Sequence, residues 1–349
     1  MKFLSAWLLL AGLLPTVGAA ADEPEDDAPP EARRPNLPSP TFGGIQFWSD
    51  VTLFHDWRIQ RNAVTGHCRL LDGHDKRHAW GTLGECKTKL DEIKQDRGLA
   101  PMHGKAVILL HGLIRTRKSL NVLGDHLREE GGYVVLNVGY SSTRADIPDH
   151  AANLAAVIDG LEGIEEINFV AHSLGNLVIR HYLADQTDAA CGRCPDPRIR
   201  RIVMLAPPNH GSALAEMWAE NALFKVVMGP SARSIARGLD QMEERLATPC
   251  CEFAILAGGR GDEQGYNPLL EGDDDGVVSV HSTQLAGAAD FAIVPVSHTF
   301  IMRHPRSLEY TLRFLQEGCL VSDDLRQPLP LLPSPTPPPT IAPDSSTPR

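Results

Sequence analysis

From residue 105 onward, short apolar runs alternate along the chain with segments whose apolar residues recur at helical spacing. The apolar runs predict strands over residues 105–110, 133–138, 167–171, 199–205, 252–257 and 291–296. The helical spacing predicts helices over residues 120–130, 149–161, 174–184 and 306–316. Strands that are apolar on both faces and separated by helices are typical of a parallel sheet covered on both sides. The pattern therefore predicts a doubly wound, mostly parallel α/β sheet.

Two segments depart from this alternation. Residues 45–72 are aromatic and alternate between polar and apolar positions, which predicts antiparallel strands at the N-terminal edge of the sheet. Residues 209–250 lie between two predicted core strands and are too long for a plain crossover. Amphipathic stretches at 213–227 and 233–246 predict helices in this insertion. These helices either pack on the sheet or form a lid over a binding pocket, and the sequence leaves both alternatives open.

The first 21 residues have the layout of a secretory signal peptide. Lys2 is followed by an apolar run over residues 3–14, and Pro15 and several small residues come after that run. A helix of this length spans about 18 Å, which is short of a hydrocarbon core of about 30 Å. The sequence therefore predicts that residues 1–21 are removed and that the protein is exported to the periplasm, the medium or another extracytoplasmic space.

Two further segments have the composition of disordered chain. Residues 22–40 are acidic and Pro-rich, and residues 323–349 are Pro- and Ser-rich. Residues 41–322 are interpreted as one α/β domain, with 209–250 as its lid candidate. The chain carries 33 Lys and Arg against 44 Asp and Glu, and this net charge of −11 disfavours binding to nucleic acid. Transient contact with a membrane or lipid surface is compatible with the composition, which carries no signal for an oligomeric state.

The chain has seven cysteines, which suits an oxidising compartment. Cys68 and Cys86 are close in sequence, and we predict a disulfide between them that closes the loop containing Trp80. Cys191 and Cys194 form a C-x-x-C motif in a loop after a helix, where structural disulfides are favoured over a redox motif or a zinc half-site. The odd count leaves at least one cysteine unpaired or in an intermolecular bond, and the sequence leaves the full connectivity among the seven open.

Ser173 lies in the pentapeptide AHSLG at 171–175, between a predicted strand and a predicted helix. This is the position of a nucleophile elbow, a sharp turn that needs small residues two before and two after the nucleophile. Ala171 replaces the usual first glycine and still meets that need. The serine is expected at the carboxyl end of its strand, beside a helix N-terminus that favours negative charge. A chance match is the alternative, and the strand and helix on either side argue against it.

A nucleophilic serine needs an oxyanion hole and a base. His111-Gly112-Leu113 follows the first apolar strand, and a turn of this kind supplies one backbone amide to an oxyanion hole. The two amides are then those of Leu113 and Leu174, and His111 itself is interpreted as a structural turn residue.

The base is expected after the last strand, where His298 follows residues 291–296. His281 and His210 are the competing histidines.

The acid is expected between the serine and the base, where three aspartates stand in a row at 273–275. Asp275 is favoured because Gly276 and two valines follow it and lead the chain back into the core. Asp274 is the alternative. A solvated turn or a calcium loop is the plainer interpretation of this run, and structural calcium at Asp273 or Asp274 stays open.

Five motifs in this order resemble those of α/β-hydrolase serine esterases and lipases. They are ILLHGL at 108–113, AHSLG at 171–175, APPNHGS at 206–212, DGVV at 275–278 and SHTF at 297–300. The resemblance covers about residues 104–316 and is strongest to bacterial triacylglycerol lipases and GPI inositol-deacylase-like hydrolases. It implies an α/β-hydrolase fold and ester hydrolysis through Ser173, His298 and Asp275, with no metal or cofactor.

The sequence thus predicts a secreted serine hydrolase that cleaves carboxylic esters of small molecules or lipids. A thioesterase or an acyltransferase would use the same three residues. A non-catalytic binding protein with the same fold is the third alternative.

Overall fold

Two β-sheets and the helices packed on them make up the part of the chain that the structure describes. The computed structural model describes residues 39–40, 45–186, 194, 196–210 and 245–331. The strands are β1 (Ser39–Pro40), β2 (Trp48–Phe54), β3 (Trp57–Asn62), β4 (Cys68–Leu71), β5 (Lys76–Gly81), β6 (Gly104–Leu110), β7 (Val134–Val138), β8 (Ile164–His172), β9 (Ile199–Leu205), β10 (Glu252–Gly259) and β11 (Asp290–Pro295). The helices are α1 (Leu83–Arg97), α2 (Asn121–Glu129), α3 (Ile147–Asp159), α4 (Leu174–Gln186), α5 (Val280–Thr283) and α6 (Pro305–Glu317).

The main sheet has six strands in the order β11-β10-β9-β8-β6-β7, and each neighbouring pair is parallel. These are the six strands that the apolar runs predict. Successive side chains of a strand point to opposite faces of the sheet. In β6, Ile108 accordingly packs into the core on one face, and Val107 and Leu109 pack into the core on the other. The doubly wound α/β class that the sequence predicts is confirmed.

Helices cover both faces of this sheet. The helices α3 and α4 contribute Leu154 and Leu177 to one core, and α2 and α6 contribute Leu123 and Phe314 to the other. Each of the four predicted helices is present within two residues of its predicted ends. The helix α6 ends at Gly318, whose φ of 86° belongs to the left-handed region that glycine adopts without strain.

The N-terminal strands form a second sheet of their own. Its order is β1-β5-β4-β3-β2 and its pairs are antiparallel, as the alternating pattern predicts. The strands do not extend the edge of the main sheet, however, and they continue through β5. The helix α1 packs Leu90 and Ile93 against Ile59 and Leu70 of the strands, so this sheet has its own core and does not need the edge of the main sheet for burial.

Asp50 joins the two sheets. Its carboxylate is buried and accepts hydrogen bonds from Arg58 Nη1 at 2.7 Å, Gln60 Nε2 at 2.8 Å and the backbone N–H of Gly139 at 2.7 Å. The backbone N–H of Asp50 in turn donates to Gly139 O at 2.8 Å. Gly139 directly follows β7, so these bonds hold the antiparallel sheet over the carboxyl end of the main sheet.

The described chain continues to residue 331, past the point at residue 323 where the composition predicts the start of a disordered tail. A short 3-10 helix spans Asp323–Leu325, and Leu329 exchanges backbone hydrogen bonds with Gly287 and Ala288. Asp290 accepts from the backbone N–H groups of Leu320 and Gln327. Residues 323–331 are thus held through backbone groups of their own, those of Gln327 and Leu329, and the Pro-rich composition does not reveal such contacts.

Several expectations fall on residues outside the described ranges. These are the signal peptide at 1–21, nearly all of the linker at 22–40, the end of the tail from 332, and most of the lid candidate, since 211–244 are not described. Among the helices of the described part, none combines the length and the apolar character needed to cross a membrane.

The cysteine pairing differs from the one predicted. A disulfide joins Cys194 to Cys250, whose Cα atoms are 5.3 Å apart. Cys68 and Cys86 are free thiols buried in the core of the antiparallel sheet, so the predicted bridge between them is wrong. In that core both side chains serve as small apolar residues, and burial raises the pKa of the Cys86 thiol to about 12. The expectation of a structural disulfide in the 191–251 set is met by Cys194 and Cys250.

Candidate active site

Ser173 occupies a sharp turn between β8 and α4. Its φ of 52° lies in the left-handed region, which is unusual for a residue with a side chain and is retained where surrounding contacts enforce it. Its backbone N–H donates to Leu205 O at 3.0 Å. A Cβ atom at Gly175 would lie 2.7 Å from Leu110 O, so only glycine fits two residues after the serine. The requirement for small residues around this turn therefore has a steric cause.

The turn after β6 lies against this serine. A Cβ atom at Gly112 would lie 3.1 Å from Ser173 Cβ and 2.8 Å from His172 Nδ1, so glycine is required for this close approach. Leu113 follows in the same turn, and Leu174 is the first residue of α4. The two residues that the sequence assigns to an oxyanion hole thus belong to the two turns that meet at Ser173.

His111 is embedded in the wall of this turn. Its ring stacks on that of Tyr140, with centroids 4.2 Å apart, and Tyr140 Oη donates to His111 O. His111 Nδ1 donates to Gly112 O at 2.8 Å, which leaves Nε2 as an acceptor for the backbone N–H of Tyr140. Burial lowers the pKa of His111 to about 4. These contacts give the ring a structural use, in agreement with its interpretation from sequence.

His298 and Asp275 form a buried hydrogen-bonded pair. His298 Nδ1 lies 2.7 Å from Asp275 Oδ2, and the backbone N–H of His298 donates to Asp275 O at 2.9 Å. Asp275 Oδ1 accepts from the backbone N–H groups of Val277 and Val278 at 3.0 and 2.8 Å. The carboxylate is thus held by the valines that follow it, and it directs the second ring nitrogen of His298, Nε2, to act as an acceptor.

The other two aspartates of the run have different partners. Asp274 accepts from the backbone N–H groups of Asn267 and Gly276, and burial raises the pKa of its carboxyl. Asp273 accepts from the backbone N–H groups of Arg260 and Gly261. Both side chains shape the loop before Asp275, and the carboxylate that meets His298 is that of Asp275.

His172 links the turn at Ser173 to the loop after β11 that carries His298. Its ring packs against that of His298, with centroids 4.6 Å apart, and its Nε2 donates to His298 O at 3.0 Å. Arg115, which follows the turn after β6, also contacts the loop of His298 by donating from Nη2 to Thr299 Oγ1 at 2.9 Å. No local signal in the sequence indicates that the ring of His172 supports the backbone of His298.

The competing histidines lie together elsewhere. The rings of His210 and His281 stack with centroids 6.1 Å apart. Since the carboxylate of Asp275 is directed at His298, neither ring has the position of a base oriented by that acid.

Three histidines are buried, and we therefore expect the free energy of unfolding to decrease in mild acid. Burial lowers the pKa of His111 to about 4 and that of His150 to about 3, and it holds the pKa of His172 well below the usual value. Below about pH 6.5 the unfolded chain takes up protons at these sites and the folded chain does not. The three neutral rings therefore make their full contribution to the free energy of unfolding above about pH 7. That free energy should fall by about 2 kcal/mol per histidine between pH 6.5 and 5.

Urea unfolding at pH 7, 6 and 5 measures this loss. The variant His150→Phe should flatten the pH dependence by about one third, whereas His74→Phe, which changes an exposed histidine, should leave it as in the wild type. An unfolding free energy that is equal at pH 7 and pH 5 would contradict the assignment of these rings as neutral.

The chain has only low similarity to known proteins. A family model described as a domain of unknown function (DUF7379) matches residues 76–238, less than half of the chain. No curated protein matches the chain. Among solved structures, the chain is similar to the lin2722 gene product of Listeria innocua, with 18% identity and a TM-score of 0.43 over 61% of this chain and 94% of that chain.

Two named hydrolases are similar at the same level. Phospholipase PlaB from Legionella pneumophila has 18% identity and a TM-score of 0.45 over 61% of this chain, which spans 58% of that protein. The esterase Pf2001 from Pyrococcus furiosus has 15% identity and a TM-score of 0.41 over 81% of this chain and 97% of that chain. At these values no residue role carries over from these proteins.

The topology itself identifies the fold. Six parallel strands, helices on both faces, a serine at positive φ between β8 and α4, and an Asp–His pair after β10 and β11 are the arrangement of an α/β-hydrolase. The chain has this fold, which is the fold that the resemblance noted in the sequence implies. The narrower likeness to triacylglycerol lipases and GPI inositol-deacylase-like hydrolases stays a prediction.

Proposed function

We propose that this chain is a serine hydrolase that cleaves carboxylic esters through Ser173, His298 and Asp275. The observation that carries the proposal is the buried bond from His298 Nδ1 to Asp275 Oδ2. The Asp275–His298 pair lies beside the strained turn at Ser173, because the ring of the adjacent His172 packs against that of His298. A buried carboxylate that orients an imidazole beside a strained serine turn is costly to build and is what nucleophilic catalysis requires.

The chemistry follows from these positions. His298 Nε2 accepts the hydroxyl proton of Ser173 as the serine oxygen attacks the ester carbonyl. The amides of Leu113 and Leu174 hold the negative oxygen of the tetrahedral intermediate. His298 then donates its proton to the leaving alcohol, which leaves an acyl group on Ser173. Water, activated by the same ring, attacks the acyl group and restores the hydroxyl. Asp275 stays ionised and stabilises the imidazolium.

We also propose that the substrates include lipid esters and that the enzyme acts outside the cytoplasm. The lipid preference is supported by the apolar helical pattern of the insertion at 209–250, which suits a lid. Export is supported by the signal-peptide layout of residues 1–21.

A fluorophosphonate probe tests these proposals in one experiment. The probe should label the protein in the extracytoplasmic fraction, on the peptide that contains Ser173, because only an activated serine attacks phosphorus at an appreciable rate. Ser173→Ala should abolish labelling, whereas Ser119→Ala should retain it as a matched control. Labelling that persists in Ser173→Ala would refute the proposed nucleophile, and a labelled protein confined to the cytoplasm would refute export.

A further inference from the structure

We propose that the cavity between the antiparallel sheet and the carboxyl ends of β6 and β7 is a binding site for a phosphate group. The cavity has a volume of about 180 Å³. Three cationic side chains line it: Arg69 on β4, and Arg117 and Lys118 in the segment that follows the turn after β6. Nothing in the proposed ester hydrolysis uses these three residues, so the inference goes beyond that function.

Arg69 is the central observation. It is only 8% exposed, and its Nε and Nη2 donate to Gln60 Oε1, a neutral acceptor, at 3.0 and 2.8 Å. Its guanidinium lies over the ring of Trp48, 3.9 Å from the centroid. Among the described residues, no carboxylate is within ion-pair distance of Arg69. A buried cation without an anionic partner is costly, and an anion in the cavity would offset that cost.

The neighbouring acids do not neutralise Arg69. Asp50 is the nearest one in its hydrogen-bond chain, and that carboxylate is paired with Arg58 at 2.7 Å. Asp75 lines the cavity but is paired with Arg117 Nη2, also at 2.7 Å. Burial lowers the pKa of Arg69 to about 10, against the opposite effects of these two carboxylates, so the group stays protonated at neutral pH.

The charge of the lining indicates the kind of anion. Three cations and the carboxylate of Asp75 leave a formal charge of +2, in a chain whose net charge is −11. A phosphate monoester carries about −1.5 to −2 at pH 7, whereas a carboxylate carries one negative charge. Gln60 accepts from Nε and Nη2 of Arg69, and the Nη1 hydrogens on the other side of the planar guanidinium suit the oxygens of a phosphate. The lining therefore favours a phosphate over a single carboxylate.

The size of the cavity limits the ligand. Pockets for drug-sized molecules are usually about 300–1,000 Å³. A cavity of about 180 Å³ accommodates a phosphate with a small substituent, or the phosphate end of a larger molecule that extends into solvent through the side of the exposed Lys118. A free phosphate ester and a phosphatidic acid headgroup both present this group, and the test separates these two sources.

Calorimetric titration with inorganic phosphate at low ionic strength tests the site directly. The wild-type protein should show saturable binding. Lys118→Met, a change at an exposed position, should weaken it about tenfold, and Arg69→Met should weaken it about 10- to 150-fold, since each removes a charge-assisted hydrogen bond. Lys87→Met, which changes an exposed lysine on α1 that does not line the cavity, is the matched control and should bind as the wild type does. Acetate should bind at least about tenfold more weakly than phosphate.

The variant Arg69→Lys provides a second test of the same side chain. If Arg69→Met does not fold, Arg69→Lys keeps the charge and loses the fork, and it should still bind phosphate about tenfold more weakly. Absence of saturable binding to the wild type, or equal affinities in the wild type, Lys118→Met and Arg69→Lys, would overturn the proposal. Equal affinities for acetate and phosphate would overturn the choice of anion. Ser173→Ala should bind phosphate like the wild type, so this result does not depend on the proposed hydrolysis.

Competition identifies the source of the phosphate. Glycerol 3-phosphate should displace inorganic phosphate if a soluble ester is the ligand. Vesicles of phosphatidic acid, compared with vesicles of phosphatidylcholine, should do so if a lipid headgroup is the ligand. Failure of both competitors would mean that the site does not accept a substituted phosphate and would refute the assignment.

Discussion

Replacing Ser173 by alanine is expected to lower kcat/KM for a short-chain p-nitrophenyl ester by about 10⁴- to 10⁶-fold. The serine oxygen is the atom that forms the acyl intermediate, and no other hydroxyl occupies the turn between β8 and α4. The residual rate would come from the oxyanion amides of Leu113 and Leu174 and from substrate binding, which remain in the variant.

The substitution removes one oxygen at a buried turn and leaves its backbone contacts intact. The backbone N–H of Ser173 donates to Leu205 O, and Ser173 O accepts from Asn176, so alanine preserves both bonds. An unchanged unfolding midpoint would therefore show that a loss of rate reflects chemistry. Ser119→Ala serves as the control with normal turnover. Turnover within tenfold of the wild type in a folded Ser173→Ala protein would end the proposal.

Replacing Asp275 by asparagine is expected to lower kcat by about 10⁴-fold. The amide oxygen can still accept from Val277 and Val278, so the loop should hold its shape. The amide nitrogen would then face His298 Nδ1 as a donor, and the ring would have to present Nδ1 as the acceptor and carry its proton on Nε2. In that tautomer Nε2 cannot take the proton of Ser173.

The adjacent aspartates provide matched controls. Asp273→Asn and Asp274→Asn change the same charge within two residues, but their carboxylates bond to backbone amides of the loop at 260–276 and not to His298. Each should retain kcat within about tenfold, with a modest loss of stability from weakened hydrogen bonds. Measuring kcat and unfolding midpoints for all three variants separates the two effects. If Asp274→Asn lost kcat and Asp275→Asn retained it, the assignment of the acid would be reversed.

The sequence by itself determined the class of the fold and the order of its main elements. The strands of the main sheet are buried on both faces, so they read as unbroken apolar runs, and four helices show their buried stripe in the spacing of leucines and valines. The turn at Ser173 could be located for a similar reason. The turn requires small residues at fixed positions within one contiguous stretch of chain. Gly175 is one of them, because any side chain there would clash with Leu110 O.

The tertiary structure alone decided which distant groups meet. The valines after Asp275 favour it in the sequence and leave Asp274 as the alternative, and the path of the loop brings the carboxylate of Asp275 to His298. The partner of Cys194 is 56 residues away, and Cys68 and Cys86 stay reduced in a core that they help to fill.

The support of His298 by His172 and the cationic cavity around Arg69 also follow from contacts between segments far apart in the chain. Periodicity and short motifs record what a segment buries and how it turns, because those properties depend on neighbouring residues. The identity of a partner on another element depends on how sheets and loops pack, and no local pattern records it for Cys194, His172 or Arg69.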